Sequence, residues 1–504
     1  MKKLIATLLS ITLIASLITG CGNGEKSGSN GDLLELTYFG MKPTTEKTIF
    51  TEAEAKTGVS VDFVLSENTT DYAQALALSI ASKDMADIIK HSSRADFIKF
   101  GMQGALVPLN DLIEKHAPNY KKFLDENPDV KKYTTASDGN IYYIPFVQDG
   151  ETSTGWFIRQ DWLDKLGLPQ PKTIEEFYNT MVAFRDNDPN GNGQKDEVPM
   201  FGMGAGEGVS SFYGLFNTSN TVMYQEDGKA VYAPMEENFK TAMLTLRKWY
   251  EEKLIDGEIF TRKQTREYFI GNDLGGVVHH WFGSTASYTK RFADSVPGLN
   301  FVPMAPPAGI DGVQRELERR DKGMNEGWAI SSMNKHPEET MKYFDFWWSE
   351  EGRRMANFGI EGETYDMVDG KPQLKEIITN NKEKTAVAAL NDYGAQLNFG
   401  FWQDFSYEEQ WADPIAVEGM RMYVENKYVP EKLVKVTYLE NEESERTKLN
   451  GQLNTYLNEM IQKWILGQED IESGYDAFIK QLKNLGADEL VKIEQAAYDR
   501  YLAE

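Results

Sequence analysis

The sequence predicts an α/β protein of two or more domains with a helix-rich C-terminal part. Three observations carry this. Apolar runs with strand and helix periodicity alternate through the first part of the chain. The chain has 504 residues, too many for one hydrophobic core. From Leu453 to Leu502 the pattern is almost continuously helical.

Leu34–Phe39 reads as a strand and is followed by a helix that stops at Gly58. Val59–Val64 alternates as a second strand. Tyr72, Leu76 and Ile80 fall at helical spacing, Asp87–Ile89 is a short apolar strand, and Asn110 is placed to cap a helix that Pro118 ends. Strand–helix–strand order with short connections implies a mostly parallel sheet covered by helices. Tyr142–Pro145 and Trp156–Arg159 are further strands. A helix from Gln160 ends at Gly167, and Thr173 with Glu176 forms a capping box for the next. Met243, Leu246 and Trp249 mark an amphipathic helix over 239–253. Tyr343–Trp348 belongs to another, and Tyr456, Met460, Trp464, Tyr475 and Phe478 line helical faces near the C-terminus.

The N-terminus reads as an export signal. Two lysines precede an apolar run from Leu4 to Ile18, shorter than the roughly 20 residues a spanning helix needs. It ends in Ile18-Thr19-Gly20-Cys21, which is similar to a bacterial lipobox, so residues 1–20 are expected to be removed and Cys21 to carry lipid. Cys21 is the single cysteine of the chain, so an extracellular body must be held by its core instead of disulfides. Residues 22–32, rich in Gly, Ser and Asn, form a flexible tether. The formal charge of −25 becomes more negative once Lys2 and Lys3 are lost, which argues against nucleic acid and anionic lipid as partners. With 10 Trp, 24 Tyr and 26 Phe, the chain is not disordered and has ring surfaces to offer a sugar.

Several phrases occur in a telling order: Ile80-Ala81-Ser82-Lys83-Asp84 running into Ala86–Ile89, Gly104–Leu109, Asp138–Tyr142 before Ile144-Pro145, Lys172-Thr173, and Gly327–Ile330 before a turn and helix. The ordered set, with the endings Gly467–Ile471 and Glu494–Tyr501, resembles the family 1 extracellular solute-binding proteins of carbohydrate ABC importers. The long branch that includes the alginate-binding proteins fits best. The resemblance implies a two-lobed, periplasmic-binding-protein-like fold of type II, each lobe a sheet flanked by helices, with a hinge between. It gives 33–145 plus about 303–350 to the first lobe and 146–302 plus about 351–504 to the second. It further implies a monomeric, lipid-anchored receptor outside the membrane, on the outer face of a Gram-positive cell, that passes an oligosaccharide to ABC permease subunits.

The segment Asp186–Glu197 (DNDPNGNGQKDE) alternates oxygen side chains around glycines, as calcium requires. Counted from Asp186, Asp188, Asn190, Gly191 and Glu197 take EF-hand positions. Counted from Asp188, Asn190, Asn192, the Gln194 carbonyl, Asp196 and Glu197 complete a shorter loop, and that register resembles the alginate-binding branch. Pro199 and the apolar residues after it argue against a second EF helix, so the ion would be structural.

A sugar cleft pairs aromatic faces with a few placed polar groups. Trp162, Trp249, Trp347, Trp348 and Trp464 lie in helical patterns and are assigned to cores. Trp156, Trp281, Trp328 and Trp402 fall in loop-like contexts and are the candidates for the cleft, with Gln403 and Asp404 beside the last. Trp281 and Trp402 also match aromatic positions of the alginate-binding branch. Lys42, His91 and Arg94 follow strands, where parallel sheets bind ligands. Lys42, Arg94 and Arg159 would make a basic pocket if the sugar were acidic; a neutral sugar is equally compatible. His279 and His280 point to opposite faces of a strand and make no zinc pair. Gly202–Gly208 lacks the ending of a phosphate loop. No reaction is therefore expected. The alternative is a secreted, lipid-anchored glycoside hydrolase with a carboxylate pair across the cleft.

Overall fold

A computed structural model describes residues 33–503 except 66–70, 149, 151, 202–208, 226, 318–319, 321–324, 382–383, 431–433 and 435. The export signal, Cys21 and the tether lie outside the described residues. Among those residues, no helix is long and apolar enough to cross a membrane.

Two sheets organise the chain. The first runs in the order Val59–Leu65, Leu34–Met41, Ile88–His91, Gly327–Ile330, Ile144–Pro145. Its first three strands are parallel, with Leu34 opposite Val59 and Tyr38 opposite Ile88. Gly327–Ile330 runs antiparallel to both of its neighbours. The second sheet has the order Phe301–Met304, Thr154–Arg159, Gly275–Trp281, Val198–Met200. Thr154–Arg159 is antiparallel to the strands on either side, and only Val198–Met200 is parallel to its neighbour. The expectation of mostly parallel pairing thus holds for the first three strands alone. The chain leaves to build the second sheet and re-enters the first from the opposite direction.

Local chemistry sets the helix ends. The Thr48 hydroxyl accepts the Thr51 amide, Asp71 accepts that of Gln74, and Thr173 that of Glu176. Gly58 closes the helix Ile49–Thr57 with φ of 70°, a conformation that favours glycine. Two caps differ from the reading above. Asn110 is the first helical residue and spends its side chain on Ile141 and Gly139. The Glu176 carboxylate accepts from Lys172 instead of completing the box at Thr173.

Each sheet has its own core. Trp328 is fully buried in the first, lying flat on Phe344 with ring centres 4.2 Å apart and touching Phe399 at 4.8 Å. Gly400 must be small, because a Cβ there would come within 2.3 Å of the Trp328 Nε1. Met355, Phe358, Tyr365, Leu390, Phe401 and Tyr407 join this same cluster. The segment from 351 to about 411, expected with the second lobe, therefore packs on the first, because its apolar faces meet Trp328 and Trp347. The second core gathers Trp156, Trp162 and Trp249 with the C-terminal helices Glu440–Ile465, Ile471–Asn484 and Ala487–Ala503. A satellite cluster seats the helix Pro414–Glu425 on the same sheet through Met420 and Tyr423. The chain crosses between the two cores near residues 146–153, 305–326 and 411–413.

Trp328→Ala removes a close-packed indole and is expected to cost about 3–5 kcal/mol. Urea unfolding followed by circular dichroism measures it, and a loss below about 1 kcal/mol would show that this core can collapse around the gap.

Candidate functional site

A pocket of about 340 Å3 opens between the lobes. One wall belongs to the first lobe. Ser93 caps the helix Arg94–Met102 by accepting the Asp96 amide, which sets Arg94 in the first turn. Arg94 donates its Nε–H to the Tyr133 carbonyl at 2.7 Å, and its guanidinium carbon lies 4.7 Å from the Tyr133 ring centre. The Tyr133 hydroxyl donates to Asn325 Oδ1 at 2.5 Å.

The opposite wall converges on Glu494, a buried carboxylate of the helix Ala487–Ala503. Arg446 donates its Nε–H to Glu494 Oε1 at 2.8 Å, and the Tyr438 hydroxyl donates to Oε2 at 2.6 Å. The Tyr224 hydroxyl donates to the same Oε2. Arg446 also reaches Glu443 at 3.2 Å and lies over the Tyr438 ring at 4.3 Å. Burial, with Glu494 alongside, drives the Tyr224 and Tyr438 phenols well above their ordinary range, so both stay protonated. Facing walls of tyrosine, amide and guanidinium can hold rings and hydroxyls.

Trp281 ends its strand 52 % exposed, the most open of the tryptophan candidates. The sequence reading missed Trp411, on the helix Phe405–Trp411 of the first core. Its ring packs on Gly283, two residues past Trp281, where a Cβ would stand 3.0 Å from it. The signal was present: Trp411 immediately precedes Ala412-Asp413-Pro414, the start of the next helix. Near it Arg320 and Glu408 form a buried bidentate pair at 2.5 and 3.2 Å, and Gly150 is packed against Arg320.

Other expectations need correction. Trp156 is buried in the second core against Phe177 at 5.3 Å and His279 at 5.3 Å, because its strand is central and covered on both faces. Trp328 is core, as described. His91 is buried too; its Nε2 lies 3.0 Å from Asp96 Oδ2 and its ring is parallel to Tyr72. That hydrogen bond holds the Asp96 carboxyl below its usual range. Gln403 is buried and donates to Gln396 at 2.6 Å. Asp404 caps the helix Phe405–Trp411 and pairs with Arg353 at 2.7 Å. Trp402, half-buried under the Arg353 guanidinium at 3.7 Å, lines a different groove made wholly of first-core residues. Arg159 is buried between Asp161 and Asp273, so it supplies no pocket. Lys42 is exposed just after its strand. His279 and His280 do face opposite ways, toward Glu316 at 2.6 Å and Thr285 at 2.9 Å; burial lowers the His280 pKa to about 3.

The loop 186–197 joins the helix Ile174–Asp186 to the strand Val198–Met200. Asp188 accepts the amides of Gly191, Asn192 and Gly193. The Asn190 and Asn192 amides donate to Asp196 at 3.3 and 3.1 Å. Asp186 turns away to pair with Arg185, which favours the register beginning at Asp188. Glu197 is buried with both carboxylate oxygens unpartnered. Desolvation raises its pKa, and Asp188 and Asp196 push the same way. Among the described residues no three His, Cys, Asp or Glu side chains converge on one point. A cation here would draw on amide and main-chain oxygens as well, and the unmet Glu197 carboxylate fits that donor set.

Residues 41–354 match the family described as bacterial extracellular solute-binding protein. The fructooligosaccharide ABC transporter substrate-binding protein FusA of Streptococcus pneumoniae is 28% identical over 99% of this chain and 98% of its own length. The alginate-binding protein AlgQ2, in a crystal structure without calcium ion, superposes with a TM-score of 0.81 and 35% identity over 93% of this chain and 98% of that one. An EF-hand mutant of FusA in complex with fructo-nystose gives a TM-score of 0.75 and 25% identity over 93% and 99%. The two-lobed type II fold expected from the sequence is the fold these proteins share.

A carboxyl whose pKa is raised by folding binds its proton more tightly in the native state, so its contribution to stability is lost as pH rises through the native value. In chelator at neutral pH, Glu197→Gln is therefore expected to melt above the parent chain. The gap should close as the pH is lowered and Glu197 takes up its proton. A variant that melts at or below the parent would mean the carboxylate is already satisfied without an ion.

Proposed function

We infer that this chain, which belongs to the bacterial extracellular solute-binding protein family, captures an oligosaccharide between its lobes and delivers it to the permease of an ABC importer. The observation that carries the reading is the interlobe pocket, where Arg94 and Tyr133 of one lobe face Tyr224 and Tyr438 of the other. Sugar rings stack on such aromatic faces, and their hydroxyls pair with the amide, phenol and guanidinium groups between them. Trp281, exposed at the end of its strand, and Trp411, packed on Gly283, offer further aromatic faces. Contacts from both lobes are available only when the lobes approach, so binding favours closure. No observation favours the hydrolase alternative.

In this reading Cys21 carries the lipid, residues 22–32 tether the body to the outer face of the membrane, and the receptor works as a monomer beside its permease. The first lobe comprises about 33–145 with 327–411, and the second about 154–304 with 412–503. Calcium occupies the loop through Asp188, Asn190, Asn192, the Gln194 carbonyl, Asp196 and Glu197. The AlgQ2 structure solved without calcium ion and the EF-hand mutant of FusA support this reading. The ion stiffens the loop at the end of the second sheet away from Trp281.

A thermal-shift screen against a glycan library tests the function. Saturable binding with the sugar recovered intact is expected, and cleavage of the sugar would replace the receptor by a hydrolase. For the bound sugar, Trp281→Ala should weaken affinity about thirtyfold, the loss of a hot spot worth roughly 2 kcal/mol, whereas Trp464→Ala should lower stability with affinity kept. Equal affinity in Trp281→Ala would remove that residue from the site.

Melting in calcium against melting in chelator tests the ion. Calcium a hundredfold above its dissociation constant adds about 2.7 kcal/mol to the native state. The melting temperature should therefore drop on chelation, and Asp188→Ala should abolish the difference. Superimposable curves would leave a bare surface turn.

A further inference from the structure

Beside the interlobe pocket lies a second hollow, of about 730 Å3, walled by the second lobe and by Val313 and Arg315 of the crossing 305–326. The two hollows share Tyr224. This residue ends the strand Val222–Tyr224 of a hairpin completed by Ala230–Tyr232. Its hydroxyl is taken by Glu494, and its ring leans on Tyr498 at 4.7 Å, so it stands as a fixed divider that offers its ring. Past the divider, Val231 and Ala233 give an apolar side, while Thr218, Gln225 and Asn238 give a polar one. Thr218 is only 1% exposed, and its hydroxyl makes no hydrogen bond. The Asn238 amide makes one long contact, to the Asn217 carbonyl at 3.3 Å.

Charge narrows what this hollow can take. Glu236 and Glu237 are exposed at its rim and form no ion pair among the described residues. Its one arginine, Arg315, is spent on Asp311 at 2.5 Å and on the Gly214 carbonyl at 3.3 Å. Two uncompensated carboxylates on a strongly acidic chain repel a uronic acid and leave an uncharged sugar residue unaffected.

We propose that this hollow is an outer subsite for an uncharged oligosaccharide too long for the interlobe pocket, whose chain runs across the Tyr224 ring and lays its next residues between Val231 and Asn238. The proposal rests on the oligosaccharide-binding reading above. It adds to that reading a length dependence and a preference against acidic sugars.

Titration calorimetry on the full chain tests it with neutral ladders of fructo-, malto-, xylo- and manno-oligosaccharides, each from disaccharide to hexasaccharide, and with an oligogalacturonide ladder of the same lengths. Two variants act on the hollow: Asn238→Ala removes a polar contact, and Val313→Trp fills the space from an exposed turn. Affinity for the neutral series that binds should keep rising beyond the shortest ligand. Both variants should weaken the longest member about tenfold, the scale of one lost hydrogen-bonding contact, and leave the shortest unchanged. Oligogalacturonides should gain nothing with length. Variants that affect every length alike, or none, would overturn the subsite and leave the receptor reading standing. Tighter binding of long oligogalacturonides would overturn the charge argument. Absence of binding along every ladder would remove the receptor reading and this inference together.

Discussion

The buried pairing of Arg320 with Glu408 is the constraint on which the two-lobed arrangement turns. Two cores pack separately, and the walls of the pocket belong to different ones. Their spacing is therefore set by the chain segments that cross between them. Arg320 lies on the second crossing, Glu408 on the first-core helix before the third, and Gly150, packed on Arg320, belongs to the first. Four residues before Arg320, Glu316 is held by His279 of the second sheet at 2.6 Å. One crossing is thus fastened to both cores within a few residues. Charges withdrawn from water stay buried only while paired, so neither anchor is easily released.

Where a structural decision is local, the sequence announces it. The strands Leu34–Met41, Val59–Leu65 and Ile88–His91, the cap at Thr173, and the stops at Gly58 and Gly167 are governed by residues a few positions apart, and the reading placed them within a few residues. Tryptophan was harder. Trp156 and Trp328 sit in strands whose neighbours in the sheet come from distant sequence, and only those neighbours bury them. Helical periodicity, by contrast, correctly sent Trp162 and Trp464 to a core. The segment 351–411 was misassigned for the same reason. Its amphipathic helices would suit either lobe, and the choice is made by contact with Trp328 and Trp347.

The second-lobe wall was not legible at all. Tyr224, Tyr438, Arg446 and Glu494 share no motif, and none carries a chemical signal by itself. Folding alone brings a hairpin, a connecting segment and two helices together, one of them carrying the Glu494 carboxylate. Glu494 then does two things at once. It balances the Arg446 charge, and it fixes two phenols whose rings face the pocket. Such a network is stable because each of its members is satisfied, and a buried Glu494 without those partners would be an isolated charge.

That dependence on Glu494 also has a meaning in time. A ribosome making this chain releases Arg94 and Tyr133 first, Tyr224 later, and Glu494 last of the four. The first-lobe wall can be folded while Tyr438, Arg446 and Glu494 of the other have yet to be translated. The receiving surface is therefore complete only after Ala487–Ala503 is made, and a chain interrupted before that helix would carry a well-packed first lobe facing a wall that lacks its central carboxylate.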